Sequence, residues 1–205
     1  MPSATFLHLP PAKQEKLLLA AREEFTQTAF DAASINRIIR RAGIPRGSFY
    51  MYFQDKEELF RYLLQQDLSR MVQVMEDILE REGGDLFAAF RALFDHVASR
   101  WEEPRVQELT AVLRLNAGSQ QGPLLRSISP PGLMEPVLSK IDRARLSLRR
   151  EGDLEEMLQI LVSVTLSSLC AAACCQPEQV REHYLSKLDI LSRGMSARQE
   201  IAKGV

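Results

Sequence analysis

The chain has 205 residues, of which 45% are hydrophobic and 26% charged, with 27 acids set against 26 lysines and arginines for a formal net charge of -1. This is the composition of an ordinary soluble globular protein with material for one large domain or two small ones. It excludes a chain that holds nucleic acid by overall positive charge. The basic charge is local instead. Between Ser34 and Lys56 stand Arg37, Arg40, Arg41, Arg46 and Lys56 against the single acid Asp55, which suits a neutral body with one small basic face.

Helical spacing dominates, no strand-like alternation runs for any length and no internal repeat is present, so the expected fold is all-α, with about nine helices. The segment Met1 to His8 has no basic region leading into an apolar run, and no signal peptide is expected. Pro10-Pro11 opens a first helix with Leu17, Ala21 and Phe25 on one face, ending near Thr28. Ser34 is placed to cap a second, whose apolar face is Ile35, Ile38, Ile39 and Ala42, with Gly43 at the left-handed stop. Pro45 starts a third, ending around Phe53. Asp55-Lys56-Glu57-Glu58 has the form of a capping box and opens a long fourth helix reaching Arg81, roughly 40 Å at 1.5 Å per residue.

Asp85 caps a fifth helix carrying Phe87, Phe90, Leu93, Phe94 and Val97. A sixth covers Pro104 to Asn116, and residues 118–132, with three prolines, read as an irregular loop. A seventh runs from Met134 to Arg149. Asp153-Leu154-Glu155-Glu156 repeats the capping-box form and opens the eighth, to Cys175; Pro177 starts a ninth with Val180, Tyr184, Leu188 and Leu191 on one face and Gly194 closing it.

The second and third helices, joined by a tight glycine turn, have the layout of a helix-turn-helix, which presents its second helix to the DNA major groove. Phe49 and Phe53 point into a small core, which leaves Tyr50 and Tyr52 near the surface. Arg46 and Ser48 lie in the first turn, where side chains reach base edges. Gly47 costs a helix about 1 kcal/mol against alanine, and close approach to DNA would compensate. Lys56 opens the fourth helix, where amides and an ammonium together suit a phosphate.

The same residues, read in order, resemble the TetR-type transcriptional regulators. The resemblance covers Leu17 to Leu63 without a gap: Ala20-Ala21, Phe25, Phe30, Ser34, Ile38, then Arg41-Ala42-Gly43-Ile44-Pro45-Arg46-Gly47-Ser48-Phe49-Tyr50-Met51-Tyr52-Phe53 and Lys56-Glu57-Glu58-Leu59. Three positions depart from the family pattern: Ala29 stands for a glycine, Ile39 for an alanine and Pro45 for a serine. The resemblance implies a DNA-binding domain over residues 1–55 and an effector-binding and dimerisation domain over 56–205. It implies Asn36, Arg46, Gly47 and Ser48 at the bases and Ser34, Tyr50, Tyr52 and Lys56 at phosphates.

The eighth helix is apolar on more than one face, through Leu158, Leu161, Val162, Thr165, Leu169 and Ala171 to Ala173. The resemblance pairs the last two helices with their copies, adding Tyr184, Leu188 and Leu191 to the interface. Symmetry supports a homodimer independently, since one helix-turn-helix reads a half-site and a two-fold pair matches a palindromic operator in double-stranded DNA. The resemblance also implies a small-molecule effector held among helices four to eight, with Phe87, Phe90, Phe94, Trp101, Leu113, Arg114 and Met134 as lining candidates. Ligand binding would swing the fourth helix and take the heads out of groove spacing, with repression as the default mode. A DNA-binding protein of the same fold without ligand control is the alternative.

No nucleophile motif, phosphate-binding glycine loop, metal-ligand cluster or paired carboxylates point to an enzyme, a cofactor or a metal. Cys170, Cys174 and Cys175 lie in one segment with no others to bridge to, the usage of a reducing cytoplasm. They are expected to be small apolar filling rather than a thiol sensor or soft-metal site, and His8, His96 and His183 show no partner spacing. The stretch from Met157 to Cys175 is interrupted by Gln159, Ser163, Thr165, Ser167 and Ser168, against a membrane span.

Overall fold

A computed structural model describes residues 2–116, 132–172 and 177–197. Ten α-helices stand among them, with two 3-10 turns and no extended strand. The contacts divide the chain into two compact units: Met1–Met71 with Glu102–Leu133, and Val72–Trp101 with Met134–Val205. The division between Met71 and Val72 falls inside the long helix that begins at Lys56.

The first unit begins with a helix absent from the sequence reading, α1 (Ala4–Leu7), capped by the Ser3 hydroxyl, which accepts the Phe6 amide. Four residues are too few to show a period. α2 (Pro11–Gln27) has proline in its first turn and buries Leu17, Ala20, Ala21, Glu24 and Phe25, one helical stripe. A 3-10 turn over Phe30–Ala32 follows. Ala29, where the family has glycine, enters this turn at φ -55° and needs no left-handed backbone.

α3 (Ile35–Ala42) ends at Gly43, φ 65° and ψ 36°, the conformation that a side chain disfavours. The Ile44 amide reaches back to the Ile39 carbonyl (3.0 Å) and closes a Schellman stop. α4 (Arg46–Tyr52) follows with Pro45 at its cap position. α5 (Lys56–Arg81) opens as expected: the Glu58 amide donates to Asp55 Oδ1 (2.8 Å), and Glu58 Oε2 accepts the Gln54 amide (2.6 Å).

A small head has little area to bury, so large side chains fill it. Phe6, Phe25, Phe30, Phe49, Phe53 and Phe60 are all buried. Their rings meet at centroid distances such as 4.8 Å for Phe6–Phe53 and for Phe25–Phe60, and each such pair adds about 0.5–1.5 kcal/mol beyond its area. α7 (Pro104–Asn116) joins the same core through Val112 and Leu109.

In the second unit, α6 (Leu86–Ala98) is capped by Asp85, whose Oδ1 accepts the Ala88 amide at 2.9 Å. It buries Phe87, Phe90, Leu93, Phe94 and Val97, the expected face. Before it, Gly84 lies at φ 78° with its carbonyl accepting the Asp142 amide; a Cβ there would sit 2.8 Å from the Asp142 nitrogen. That close approach reshapes the expected seventh helix. It runs only over Glu135–Lys140 (α8), and a 3-10 turn over Arg143–Arg145 replaces the rest. Residues 142–147 spend their backbone elsewhere: on Gly84, and on the end of the last helix, where Ser147 donates to the Met195 carbonyl (2.7 Å) and Ala197 to that of Arg145 (2.9 Å).

α9 (Asp153–Ala172) and α10 (Pro177–Met195) pack on each other and on α6. The second capping box forms differently from the first. Asp153 Oδ2 accepts the Arg149 and Arg150 amides (2.7 and 2.9 Å), which hold its carboxyl below the usual range. α9 is long and apolar enough to cross a bilayer. Its inner face is nevertheless that of a core helix, with Leu161 and Leu169 buried. Cys174 and Cys175 lie outside the described residues; Cys170 is half-buried, and no metal-holding cluster of His, Cys, Asp or Glu exists among the described residues.

Candidate nucleic-acid interface

α4 is held from below and left open above. Phe49 and Phe53 anchor it in the aromatic core. Its last carbonyls are taken by the N-terminal segment: the Ser3 amide donates to the Tyr52 carbonyl (3.0 Å) and the Ser3 hydroxyl to that of Met51 (2.6 Å). This satisfies acceptors that a helix end otherwise leaves orphaned. On the open side, Tyr50 and Met51 are 47% and 59% exposed, and Arg46 and Gly47 are also exposed. Nothing lies within 4 Å of a Cβ built on Gly47, so no internal contact calls for glycine there.

Arg46 bridges the two helices of the motif. Its guanidinium donates to Asn36 Oδ1 on α3 (3.0 Å) and reaches the Tyr50 hydroxyl (3.5 Å), with its carbon 5.8 Å from the Tyr50 ring centroid. Asn36, Arg46, Gly47 and Tyr50 therefore share one solvent face, with Ser48 half-buried beside them. Tyr52 is half-buried, its ring 6.0 Å from that of Phe6, so it contributes to packing as well as surface.

Four of the five expected basic groups, Arg46 among them, have partners within the chain. Lys56 is the most fully engaged of them. Its ammonium donates to the carbonyls of Phe30 (2.6 Å), Ala33 (2.9 Å) and Asp31 (3.2 Å) and sits 4.6 Å from the Phe30 ring centroid. An ammonium has three donors, and here they are directed at the carbonyls of the 3-10 turn and the residue after it. Arg37 pairs with the buried Glu24 and donates to the Ala32 carbonyl (2.9 Å); Arg41 pairs with Glu23 at 3.2 Å. All four arginines remain exposed.

Glu24 organises the entry to α3. Its side chain is 2% exposed, and Oε1 accepts the Ser34 amide at 2.8 Å. Burial pushes its carboxyl up, but the Arg37 hydrogen bond, the Ser34 amide and the Arg37 and Arg41 charges outweigh this and leave the carboxyl below its ordinary value. The Arg37 guanidinium is shifted up, first by its hydrogen bond to Glu24. Ser34 stands at the cap position, yet its hydroxyl makes no capping bond; Glu24 instead accepts the amide of Ser34 itself. An acid on the buried stripe of Leu17, Ala20, Ala21 and Phe25 was the sequence signal for this role.

The expected dimer residues divide sharply. Leu158, Leu161, Thr165, Leu169, Tyr184 and Leu188 are buried within one protomer, and Leu191 is half-buried. Tyr184 is the centre of that inner face. Its hydroxyl donates to the Phe90 carbonyl (3.0 Å) and lies 2.9 Å from the Thr165 hydroxyl, and its ring stacks on Phe94 at 4.3 Å. Burial pushes the phenol up to about 12. Only Val162 of the expected set is exposed, at 38%, alongside Ile160, Leu166 and Ile190. The period placed these residues on apolar helices but did not say which face meets the protomer's own core.

The effector candidates also scatter. Phe87, Phe90 and Phe94 are core residues of the second unit, while Trp101 and Met134 are half-buried there. Leu113 and Arg114 belong to the first unit, half-buried and exposed. Phe87 borders a depression of about 220 Å³ with Asp85, Arg91, Arg145 and Ser192; the other candidates do not line it.

The bacterial regulatory proteins of the tetR family match over residues 17–63. The HTH-type transcriptional repressor Rv1474c of Mycobacterium tuberculosis is 34% identical over 110 residues, 51% of this chain and 56% of that protein. The matches to the first curated relatives span between 36% and 56% of those proteins. A TetR family transcriptional regulator from Chloroflexus aurantiacus superposes with a TM-score of 0.50 at 25% identity, over 97% of this chain and 100% of that one. The Bacillus subtilis regulator FadR, solved with stearoyl-CoA, shares the fold with a TM-score of 0.59 at 16% identity, over 87% and 97%. These relatives are named as transcriptional regulators, not as enzymes. Over residues 17–63 the chain carries the helix-turn-helix head of the bacterial regulatory proteins of the tetR family, and its all-helical architecture is similar to that of solved TetR family regulators.

Proposed function

We propose that the chain is a cytoplasmic transcriptional repressor that binds a palindromic operator as a homodimer and leaves it when a small molecule binds. Residues 1–55 carry the DNA contact and 56–205 the effector and dimer functions. The observation that carries the reading is the open face of α4: Arg46, Gly47 and Tyr50 face solvent on a helix whose opposite side is locked by Phe49 and Phe53. Asn36, Arg46, Gly47 and Ser48 are the proposed base-side contacts, and Ser34, Tyr50 and Tyr52 the proposed phosphate contacts.

Dimerisation is supported by the outer face of α9. No charged residue occurs between Met157 and Ala172, and Ile160, Val162 and Leu166 are exposed in the protomer, as is Ile190 on α10. Large apolar side chains exposed on both of these helices suit a partner surface. Ligand control is supported by the FadR complex with stearoyl-CoA, a shared fold at low identity; a ligand that favours one arrangement of the body weakens DNA binding, and DNA weakens the ligand in return.

The test is a binding screen of genomic duplexes at low salt, followed by footprinting. Two protected half-sites about one helical turn apart are expected. A chain that stays monomeric and retains no duplex ends the proposal.

A further inference from the structure

We propose that Arg46 reads a guanine in each operator half-site, and that Asn36 is the residue that aims it. The assignment rests on the DNA-binding reading above and adds the base and its acceptor atoms.

Arg46 is the first residue of α4, the position from which a recognition helix reaches base edges. Its side chain is fixed from two sides, by Asn36 at 3.0 Å and by Tyr50 at 3.5 Å, with the phenol ring 5.8 Å from the guanidinium carbon. A fork held in place loses less rotamer freedom on binding. A guanidinium has five N–H donors, so these two contacts leave enough for the N7 and O6 acceptors that guanine presents together in the major groove. The empty space above Gly47 lets the base pair come close.

The same contact settles the role of Asn36. Arginine offers donors only, so the amide atom facing it is the oxygen. An asparagine that reads adenine needs that oxygen for the N6 amino group while its nitrogen donates to N7. Here Oδ1 is already engaged by Arg46, which makes Asn36 a positioning residue rather than an adenine reader.

The experiment is selection from randomised duplexes with the full chain, then binding to the selected duplex with its guanine replaced by 7-deazaguanine, which lacks the N7 acceptor. Wild type is expected to lose between about fivefold and about a hundredfold in affinity on replacement. Arg46→Ala binds the two duplexes alike. Asn36→Ala narrows the ratio while its melting temperature stays that of wild type, which a general loss of structure would not allow. Retention of the full ratio by Arg46→Ala overturns the assignment, as does a selected adenine whose recognition disappears in Asn36→Ala. If Asn36→Ala weakens every duplex equally and keeps the ratio, the aiming role is overturned. A chain that selects sites without an Arg46-dependent guanine defeats this assignment alone; one that retains no duplex defeats the regulatory reading with it.

Discussion

The Asn116 side chain holds the Phe30 backbone: Oδ1 accepts the Phe30 amide at 3.0 Å across a sequence separation of 86 residues. Its Nδ2 donates back to the Val112 carbonyl at 2.7 Å, and Asn116 is 1% exposed. The last residue of α7 thus satisfies the first amide of the 3-10 turn, while Lys56 satisfies three carbonyls of Phe30, Asp31 and Ala33. A short turn that cannot satisfy its own polar groups is completed from two helices, and it delivers the chain into α3.

Replacing Asn116 by leucine leaves the buried Phe30 amide without an acceptor, a loss of about 1–3 kcal/mol. Urea denaturation of the purified chain measures it. Hydrogen exchange at the Phe30 amide should accelerate in the same variant. An unchanged midpoint together with unchanged exchange at Phe30 would show the tether to be inert.

Lys56→Met should destabilise the head but leave the salt dependence of DNA binding alone. A phosphate contact contributes about 0.9 to the slope of log affinity against log salt. The ammonium is already committed to backbone carbonyls, so removing it releases no counterion. A slope reduced by about 0.9 per half-site in this variant means that the lysine leaves its carbonyls for DNA.

The buried acid predicts a pH dependence. Against burial, which pushes it up, the Glu24 carboxyl is held below its ordinary value in the folded chain by the Arg37 hydrogen bond, the Ser34 amide and the Arg37 and Arg41 charges. A depressed acid stabilises the fold above its unfolded value and loses that contribution as pH falls through the folded value. Wild type should therefore exceed Glu24→Ala by about 1.5–3 kcal/mol at pH 7, the worth of hydrogen bonds to a charged group. The gap should narrow only below about pH 4.5, as that linkage requires. Paired urea titrations at pH 7 and pH 3.5 check the sign, and a gap that widens on acidification rejects it.

Much of the head was readable because its determinants are local. The Gly43 stop, the Asp55–Glu58 cap and the phenylalanine spacing each act within one turn of chain. What escaped is held by partners far away in sequence. Ser3 closing α4, Asn116 closing the turn at Phe30 and Gly84 diverting the chain at Asp142 leave no periodic mark. The face that the expected dimer residues occupy was illegible for another reason. An apolar residue at helical spacing says that something covers it, and Tyr184, covered by Phe94 and Phe90 of its own protomer, satisfies that as well as a second copy would.

Gly47→Ala separates stability from binding. Gly47 has no left-handed backbone and no neighbour within 4 Å of an added Cβ, so alanine should stabilise α4 by about 0.5–1 kcal/mol. If the open space is where DNA approaches, the same methyl weakens operator binding. A raised melting temperature with reduced affinity is the expected pair. Unimpaired affinity would mean that DNA does not come that close.

The protomer's two apolar faces can be told apart by charge. Leu166→Lys and Ile190→Lys place an ammonium on residues that are 37% and 60% exposed in one chain, so the fold should survive and the dimer should not. Leu161→Ala acts on the opposite face, where the side chain is 0% exposed, and should cost about 2–5 kcal/mol of stability with little direct effect on association. Tyr184→Phe belongs with it: the ring still stacks on Phe94, but the Phe90 carbonyl loses its donor, so stability falls while the assembly holds. Sedimentation velocity alongside thermal melting sorts the four variants. Because an operator half-site is read by one head, the two lysine variants should also lose cooperative protection of paired half-sites. Dimers that persist with lysine at both 166 and 190 would move the interface to another surface.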